Sequence, residues 1–180
     1  MIFTELELPG AFLLDVETYE DHRGFFARSW CRREFDEHGL DARVEQSSIS
    51  YNRLLGTLRG MHFQVAPAAE TKLVRCTRGA IHDVIIDLRP GSPTYLQHVA
   101  AELTTENRRA LYIPEGFAHG FQTLTDDAEV LYQMTTEYSP GHARGVRWND
   151  PAFGIEWPIA DPVILQRDAR YADFSEAVLV

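Results

Sequence analysis

This chain of 180 residues contains only two cysteines. It also has neither a long apolar run nor an N-terminus with the features of a signal peptide. Cys31 and Cys76 match no metal-binding spacing such as C-x-x-C, which argues against a disulfide framework and a cysteine metal site. No stretch approaches the roughly 20 consecutive apolar residues of a membrane-spanning helix, so we expect no membrane partner. Because the first residues, MIFTELELPG, lack the regions of a signal peptide, we expect a cytoplasmic protein.

Positive charge is also in short supply, since 27 acidic residues against 17 basic ones give a formal net charge of -10. Such a chain should repel nucleic acid, which is therefore not an expected partner. Seven arginines nevertheless fall between residues 23 and 59, and they indicate either a site for a small phosphorylated ligand or a salt-bridged surface. They are Arg23, Arg28, Arg32, Arg33, Arg43, Arg53 and Arg59.

Lysine is nearly absent, because 16 of the 17 basic residues are arginine and only Lys72 is a lysine. An ammonium group is a compact point charge with three donors, whereas a guanidinium is a broad planar fork. Lys72 is therefore either a candidate for chemistry or a chance survivor on the surface.

What the sequence does contain is a series of short β-rich segments separated by turns. The segment 71–76 is predicted to form a hairpin with 80–89 around a turn ending at Gly79. One helix is predicted over residues 31–39, with Phe35 inward and Gly39 as its stop. The remaining predicted strands cover residues 108–114, 116–124 and 128–139.

Many strands without βα alternation predict an all-β fold, an antiparallel jelly-roll barrel with a few short helices. The length and the 44% apolar content predict one domain over residues 1–180, with terminal extensions packing on the barrel. A ligand site is expected at the barrel mouth. If residues 129–138 form one strand, Tyr132 and Tyr138 share a face, either as core packing or as part of that site.

The stretch LRGMHFQ, residues 58–64, raises three possible roles for His62. It could be a structural histidine, a metal ligand or a base that removes a proton from carbon. The spacing of His62, Glu70 and His119 resembles the motifs of metal-binding cupins, but Gln64 stands where that family has a second histidine. Glutamine is a poor substitute for imidazole, so this resemblance supports the barrel more than the metal.

The third role requires partners for the base. A C–H bond next to a ketone is acidic enough for a neutral imidazole to attack, provided that a carboxylate orients the ring. The enolate then needs a cation at its oxygen, for which Lys72 is a candidate, and an acid to return the proton, for which Tyr132 is a candidate.

Ordered motifs along nearly the whole chain resemble the dTDP-4-dehydrorhamnose 3,5-epimerase family, cofactor-free sugar-nucleotide epimerases with a cupin-type jelly roll. The motifs that carry the resemblance are DHRGFF (21–26), LRGMHFQ (58–64), KLV (72–74), DVIIDLR (83–89), SPTY (92–95), IPEGFAHGF (113–121) and WNDP (148–151). The resemblance implies a nucleotide-sugar substrate, a 4-keto-6-deoxyhexose on a nucleoside diphosphate. It also implies that no metal and no redox cofactor take part.

Residue roles follow from the same resemblance. His62 would be the base, Asp168 its orienting carboxylate, Tyr132 the acid and Lys72 the enolate-stabilising cation. The family also implies a homodimer in which Arg23 and its neighbours reach across the interface. The implied substrate-binding residues are Arg23, Phe26, Arg28, Gln46, Ser48, Arg59, Asp83, His119, Tyr138 and Arg167.

The chain departs from the family pattern at Arg28, Ser48, Ala143 and Leu165, where the family usually has glutamate, asparagine, glutamate and serine. These departures leave the nucleotide open, as dTDP, CDP or GDP, and leave open whether C3, C5 or both are inverted. Three further functions stay open as well: a 3,4-ketoisomerase, a metal-dependent cupin and a sugar-binding cupin without activity.

The spacing within LRGMHFQ makes one structural prediction. In a regular strand the odd spacing of Arg59 and His62 would place them on opposite faces. If both serve one site, the chain must bend near Gly60.

Overall fold

The computed structural model describes all residues from 1 to 180 and consists mainly of antiparallel strands. The strands are β1 (Ile2–Glu5), β2 (Phe12–Asp15), β3 (Thr18–Asp21), β4 (Gly24–Ala27), β5 (Gln46–Asn52), β6 (Thr57–Gln64), β7 (Lys72–Arg78), β8 (Ala80–Asp87), β9 (His98–Thr104), β10 (Ala110–Ile113), β11 (Phe117–Thr123), β12 (Ala128–Met134), β13 (Ala143–Gly145) and β14 (Val163–Ile164). The helices are α1 (Arg32–Glu37), α2 (Gln166–Ala169) and a 3-10 turn over Glu176–Leu179. None of the helices has the length and apolar character that crossing a bilayer requires.

Two sheets enclose the core. The first has the strand order β1-β2-β10-β7-β12-β5 and the second the order β13-β6-β11-β8-β9, with β14 pairing alongside β6. Fully buried side chains from both sheets meet between them, among them Val74 and Val130 of the first sheet and Ile85 and Phe121 of the second. Their alternation along each strand follows the period of two that buries one face of a strand. The predicted all-β architecture is confirmed.

The predicted hairpin between residues 71–76 and 80–89 is wrong. Strand β7 pairs with β10 and β12 in the first sheet, whereas β8 pairs with β11 and β9 in the second. Gly79, with φ +75°, lets the chain cross from one sheet to the other. Apolar residues flanking a glycine turn are common to a hairpin and to a crossing between packed sheets, so the local pattern could not separate the two.

The predicted helix is confirmed as α1, within the predicted range. Its one buried residue is Phe35, which packs edge-on against Phe3 at 5.4 Å and Tyr112 at 5.8 Å between ring centroids. Gly39 follows the helix with φ +68°, the left-handed conformation that commonly ends a helix.

The last predicted strand, 128–139, is too long, because β12 ends at Met134. Beyond it the backbone N–H of Tyr138 donates to the Gln46 side chain at 2.8 Å, and the Thr136 hydroxyl donates to the Ala69 carbonyl at 3.0 Å. These bonds to side chains and loop backbone take the place of the backbone hydrogen bonds that a further strand would make. The argument that placed Tyr132 and Tyr138 on one face of a continuous strand is therefore wrong.

Strands β3 and β4 form a separate two-stranded ribbon outside both sheets. Its aromatic side chains face solvent in the single chain, with Tyr19 71% and Phe26 73% exposed. Arg23, in the turn of the ribbon, pairs with Asp21 at 2.6 Å.

A β-bulge in β6 confirms the predicted bend. His62 pairs with His119 of β11 and Arg59 pairs with Phe121, so that two residues of β6 lie opposite the single residue Gly120. One of the two is Gly60, which has φ +144°. The extra residue shifts the alternation of side chains by one position, so Arg59 and His62 point to the same side of the sheet. Both line the same cavity.

The bulge predicts that Gly60→Ala destabilises the protein. A Cβ at this position would lie 2.5 Å from the Gly120 Cα, and the positive φ strains any other residue. We expect the free energy of unfolding, measured by urea denaturation, to fall by about 2–5 kcal/mol.

Gly141→Ala is the matched control, because a Cβ there meets nothing within 4 Å. It should stay within about 0.5 kcal/mol of the parent chain. A Gly60→Ala protein as stable as this control would contradict the account of the bulge.

Candidate active site

A cavity of about 830 Å³ opens between the two sheets and is closed on one side by α2. Eight of the predicted catalytic and substrate-binding residues line it. They are Arg59, His62, Lys72, His119, Tyr132, Tyr138, Arg167 and Asp168. The four candidate catalytic residues thus come together from β6, β7, β12 and α2.

His62 and Asp168 form a hydrogen-bonded pair, with 3.0 Å between Nε2 and Oδ1. Asp168 is buried in the short helix α2, whereas His62 keeps a third of its side chain exposed to the cavity. A carboxylate accepts from an N–H, so the neutral imidazole carries its proton on Nε2 and its lone pair on Nδ1. The ring therefore presents a basic nitrogen while the carboxylate fixes its tautomer.

Asp168 remains an anion because its neighbours outweigh its burial. Burial raises the pKa of this carboxyl, but the hydrogen bonds and charges of His62 and Arg167 lower it more, so the net pKa lies below its ordinary value. Arg167 donates from Nε to Asp168 Oδ1 at 3.0 Å. Its Nη2 also lies 3.5 Å from His62 Nε2, but both atoms carry hydrogen in this tautomer, so this contact is not a hydrogen bond.

Lys72 lies beside the base. Its Nζ donates to the backbone carbonyl of His62 at 3.2 Å and pairs with Glu70 Oε1 at 3.1 Å. Both side chains of this ion pair are nearly buried, so the ammonium is held in the cavity wall and not in bulk solvent.

Tyr132 faces the cavity from the other sheet, and its ring meets His119 edge-on at 5.8 Å. Burial and the negative charge of Asp83 raise the pKa of the phenol well above its ordinary value, against an opposing effect of Arg59. The phenol of Tyr132 therefore stays protonated and neutral at physiological pH. Its hydroxyl makes no hydrogen bond to another group of the chain.

Asp83 lies behind His119 and not in the cavity wall. It accepts from His119 Nε2 at 2.7 Å, and both side chains are buried. Arg59, at the opposite end of the bulge, donates from Nε to Asn52 Oδ1 at 2.7 Å, which orients its guanidinium toward the cavity that it lines.

Several predicted substrate-binding residues lie outside the cavity in the single chain. Arg23 and Phe26 belong to the exposed ribbon, and Arg28 pairs with Glu34 at 2.8 Å on the surface. Ser48 is exposed on β5, and Gln46 holds the backbone of Tyr138.

The cavity also contains residues that sequence reasoning did not assign to substrate binding. Tyr171 meets the His62 ring edge-on at 6.2 Å and leaves no room for a Cβ at Gly145. Its place three residues after Asp168, near one helical turn, is a signal that could have identified it. Arg144 and Ser50 line the wall without a sequence signal that we recognise.

The residues that resemble a metal-binding motif each have a protein partner. His62 binds Asp168, Glu70 binds Lys72 and His119 binds Asp83. No group of three His, Cys, Asp or Glu side chains is arranged to hold a metal ion. That the reaction needs no metal stays a prediction.

Gln64, at the position of the missing second histidine, is a structural anchor. Its amide nitrogen donates to the carbonyls of Ala68 at 3.0 Å and Glu137 at 3.2 Å. Its amide oxygen accepts from the backbone N–H of Ser139 at 2.6 Å. The side chain thus ties three segments of the cavity rim together.

Comparisons with known proteins agree with this geometry. The family model for dTDP-4-dehydrorhamnose 3,5-epimerase matches residues 5–176. A dTDP-4-dehydrorhamnose 3,5-epimerase from Sinorhizobium fredii is 42% identical over 177 residues, which cover 98% of this chain and 91% of the relative.

Solved structures are also similar. One is a dTDP-4-dehydrorhamnose 3,5-epimerase from Bacillus anthracis with TDP and PPi bound (TM-score 0.93, 39% identity, 96% of this chain and 99% of that chain). Another is a 3′-monoepimerase from Streptomyces bikiniensis in complex with dTDP-quinovose (TM-score 0.87, 31% identity, 96% of this chain and 87% of that chain). These neighbours confirm the predicted cupin-type jelly roll.

The Asp168 pair predicts a pH-dependent stability. A carboxyl whose folded pKa is lowered stabilises the protein above its ordinary pKa of 3.8, and this contribution is lost as the pH falls through the lower folded value. Asp168→Asn should therefore reduce the free energy of unfolding by about 1–3 kcal/mol at pH 7. The difference should shrink below about pH 4.

The control is Asp173→Asn, which removes an aspartate that pairs with Arg147 and is 73% exposed. It should change stability by less than about 1 kcal/mol at every pH. A difference between the parent chain and Asp168→Asn that does not vary with pH would contradict the assigned pair.

Proposed function

Because the chain belongs to the dTDP-4-dehydrorhamnose 3,5-epimerase family, we propose that the cavity around His62 and Asp168 carries out the proton transfers of the reaction. The chain is a carbohydrate epimerase that acts on a dTDP-4-keto-6-deoxyhexose in deoxysugar biosynthesis. The observation that carries the assignment is the hydrogen bond between a partly exposed imidazole and a buried carboxylate, beside an ammonium and a phenol in one cavity.

The reaction begins with the removal of a proton from a carbon next to the C4 ketone. His62 Nδ1 takes the proton, and the C–H electrons move into the enolate at the C4 oxygen. Asp168 stabilises the imidazolium that forms and keeps the ring oriented. Lys72 stabilises the enolate oxygen with its ammonium.

Inversion requires that the proton return from the opposite face. His62 stands on β6 of the second sheet, whereas Tyr132 stands on β12 of the first, so the two side chains reach the cavity from opposing walls. This placement supports Tyr132 as the acid that protonates the enolate carbon. The phenol and the imidazolium then exchange their protons with solvent.

Arg59 is the proposed anchor of the diphosphate, since its guanidinium lines the cavity on the same side as His62. Arg167 and Tyr138 line the same cavity and are proposed to contribute to substrate binding, and His119, backed by Asp83, would lie near the ketone. The similar enzyme with TDP bound and the 3′-monoepimerase with dTDP-quinovose support a dTDP-sugar as the ligand.

A homodimer accounts for the predicted binding residues that lie outside the cavity. We propose that the exposed ribbon, with Arg23, Phe26 and the adjoining Arg28, completes the site of a second copy. The exposure of Tyr19 and Phe26 on a ribbon that pairs with neither sheet supports this assignment. The cytoplasmic location expected from the sequence remains part of the proposal.

The C4 ketone acidifies both C3 and C5, so one base serves both carbons if the sugar ring can turn between the two steps. Similarity to named 3,5-epimerases supports inversion at both. The similarity to a 3′-monoepimerase keeps inversion at C3 alone as the second candidate.

Incubation with dTDP-4-keto-6-deoxyglucose in D2O tests this proposal by NMR. Deuterium should appear at both C3 and C5, because each passes through an enolate, and chelator-treated protein should retain the activity. Label at one carbon only would identify a mono-epimerase. Absence of label with dTDP, CDP and GDP sugars alike would remove the epimerase assignment for this cavity.

Substitution of the proposed base and acid separates their roles. His62→Ala should lower deuterium exchange at both carbons by about 10²-fold or more. Tyr132→Phe should still incorporate deuterium from the face of the sugar that His62 deprotonates. Its rate of net inversion should fall by about 10²-fold or more. Tyr95→Phe, a tyrosine outside the cavity, is the control and should change neither rate. Full inversion by Tyr132→Phe would exclude Tyr132 as the acid.

A further inference from the structure

Glu70 is a carboxylate of the cavity wall to which the proposed reaction gives no role. Its side chain is only 10% exposed and that of its partner Lys72 11%, with 3.1 Å between Oε1 and Nζ. A carboxylate this far from solvent is costly unless it is paired and hydrogen-bonded. Its function must therefore be sought in what it does to Lys72.

The ammonium of Lys72 has two protein acceptors, Glu70 and the backbone carbonyl of His62. An ammonium carries three N–H donors, so one donor remains for a ligand. One acceptor is the backbone carbonyl of the residue that carries the proposed base, and the Lys72 and His62 side chains line the same cavity. The remaining donor can therefore meet the oxygen of a ketone whose carbonyl carbon is bonded to the carbon that is deprotonated.

Gln64 lies on the other side of Glu70. Its amide nitrogen is 3.4 Å from Glu70 Oε2, a contact secondary to its shorter bonds to the Ala68 and Glu137 carbonyls, and its amide oxygen is held by Ser139. Gln64, Glu70 and Lys72 thus form a row that runs from the rim of the cavity to the ammonium.

The other buried carboxylates near the cavity are already paired. Asp168 binds His62 and Arg167, and Asp83 binds His119. No second carboxylate lies within ion-pair distance of Lys72. Glu70 is therefore the one counter-charge that fixes this ammonium.

We propose that Glu70 is a positioning residue, which together with the His62 carbonyl fixes the Lys72 ammonium so that its third N–H meets the ketone oxygen of the substrate. The inference rests on the proposed function, in which Lys72 stabilises the enolate at that oxygen. Glu70 touches no reacting atom and acts only through Lys72. A donor fixed before the charge develops needs no reorganisation when the enolate forms.

Kinetics of Glu70 variants provide the first test. Glu70→Ala removes a charged hydrogen-bond partner and should lower kcat by about 10–100-fold. KM should change by less than about threefold, because the interaction strengthens only as the enolate forms. Glu70→Gln keeps an acceptor but loses the charge, so its kcat should lie between those of the parent protein and Glu70→Ala. Glu70→Asp keeps the charge and should have a higher kcat than Glu70→Ala.

The composition of the chain offers a second readout that needs no substrate. Lys72 is the only lysine, so labelling with ζ-15N lysine gives a single side-chain signal without an assignment problem. In the parent protein the signal should lie away from the position of free lysine, since the ammonium is held by two acceptors. It should move toward that position in Glu70→Ala and less far in Glu70→Gln.

Asp15→Asn is the matched control. It breaks the ion pair of 2.9 Å between Asp15 and Arg109, which lies outside the cavity, and tests for a general effect of losing a partly buried pair. It should leave kcat within about twofold and the lysine signal in place.

Folded Glu70→Ala and Glu70→Gln proteins with unchanged kcat and an unmoved lysine signal would overturn the inference. If Glu70→Ala fails to fold, Glu70→Gln and Glu70→Asp decide by the same two measurements. The two proposals can fail separately. If the lysine signal moves in the variants but the parent protein exchanges no substrate protons, Glu70 does fix Lys72, and the role of this pair in epimerisation is overturned.

Discussion

The close contact between the backbones of Gly60 and Gly120 is the constraint on which the site depends. No Cβ fits between them, and the bulge that they form inserts one extra residue into β6. That residue turns Arg59 and His62 to the same side, so the proposed phosphate anchor and the proposed base can act on one molecule. The same pairing sets His119 opposite His62. One contact between two glycines thus places three polar side chains of the cavity.

Most of the charged side chains of the cavity are paired with another group of the chain. The carboxylates in and behind the cavity wall are each paired: Asp168 with His62 and Arg167, Asp83 with His119 and Glu70 with Lys72. Among the groups left available to a ligand are a ring nitrogen of His62, one N–H of Lys72 and the Tyr132 hydroxyl. In the proposed reaction these three groups serve as base, electrophile and acid, which epimerisation next to a ketone requires.

Sequence reasoning reached the fold class and the four catalytic candidates, because they lie in motifs whose order and spacing resemble one family. It also predicted the bend at Gly60, since two side chains at odd spacing had to serve one site. The hairpin at Gly79 was wrong because sheet membership depends on long-range pairing, which local periodicity does not contain. The pairing of Glu70 with Lys72 was missed, since the motif spacing presented Glu70 as a metal ligand. The role proposed for the ribbon carrying Arg23 requires a second copy of the chain, which one chain alone does not include.

The central claim is that one cavity holds the ketone between base, ammonium and phenol. The most direct test is a crystal structure of the inactive His62→Asn variant with dTDP-4-keto-6-deoxyglucose bound. The account predicts the C4 oxygen in hydrogen-bond contact with Lys72 Nζ, C3 or C5 facing the position of the missing imidazole, Tyr132 on the opposite face of the ring, and the diphosphate on Arg59. A substrate bound with its ketone away from Lys72, or outside this cavity, would contradict it.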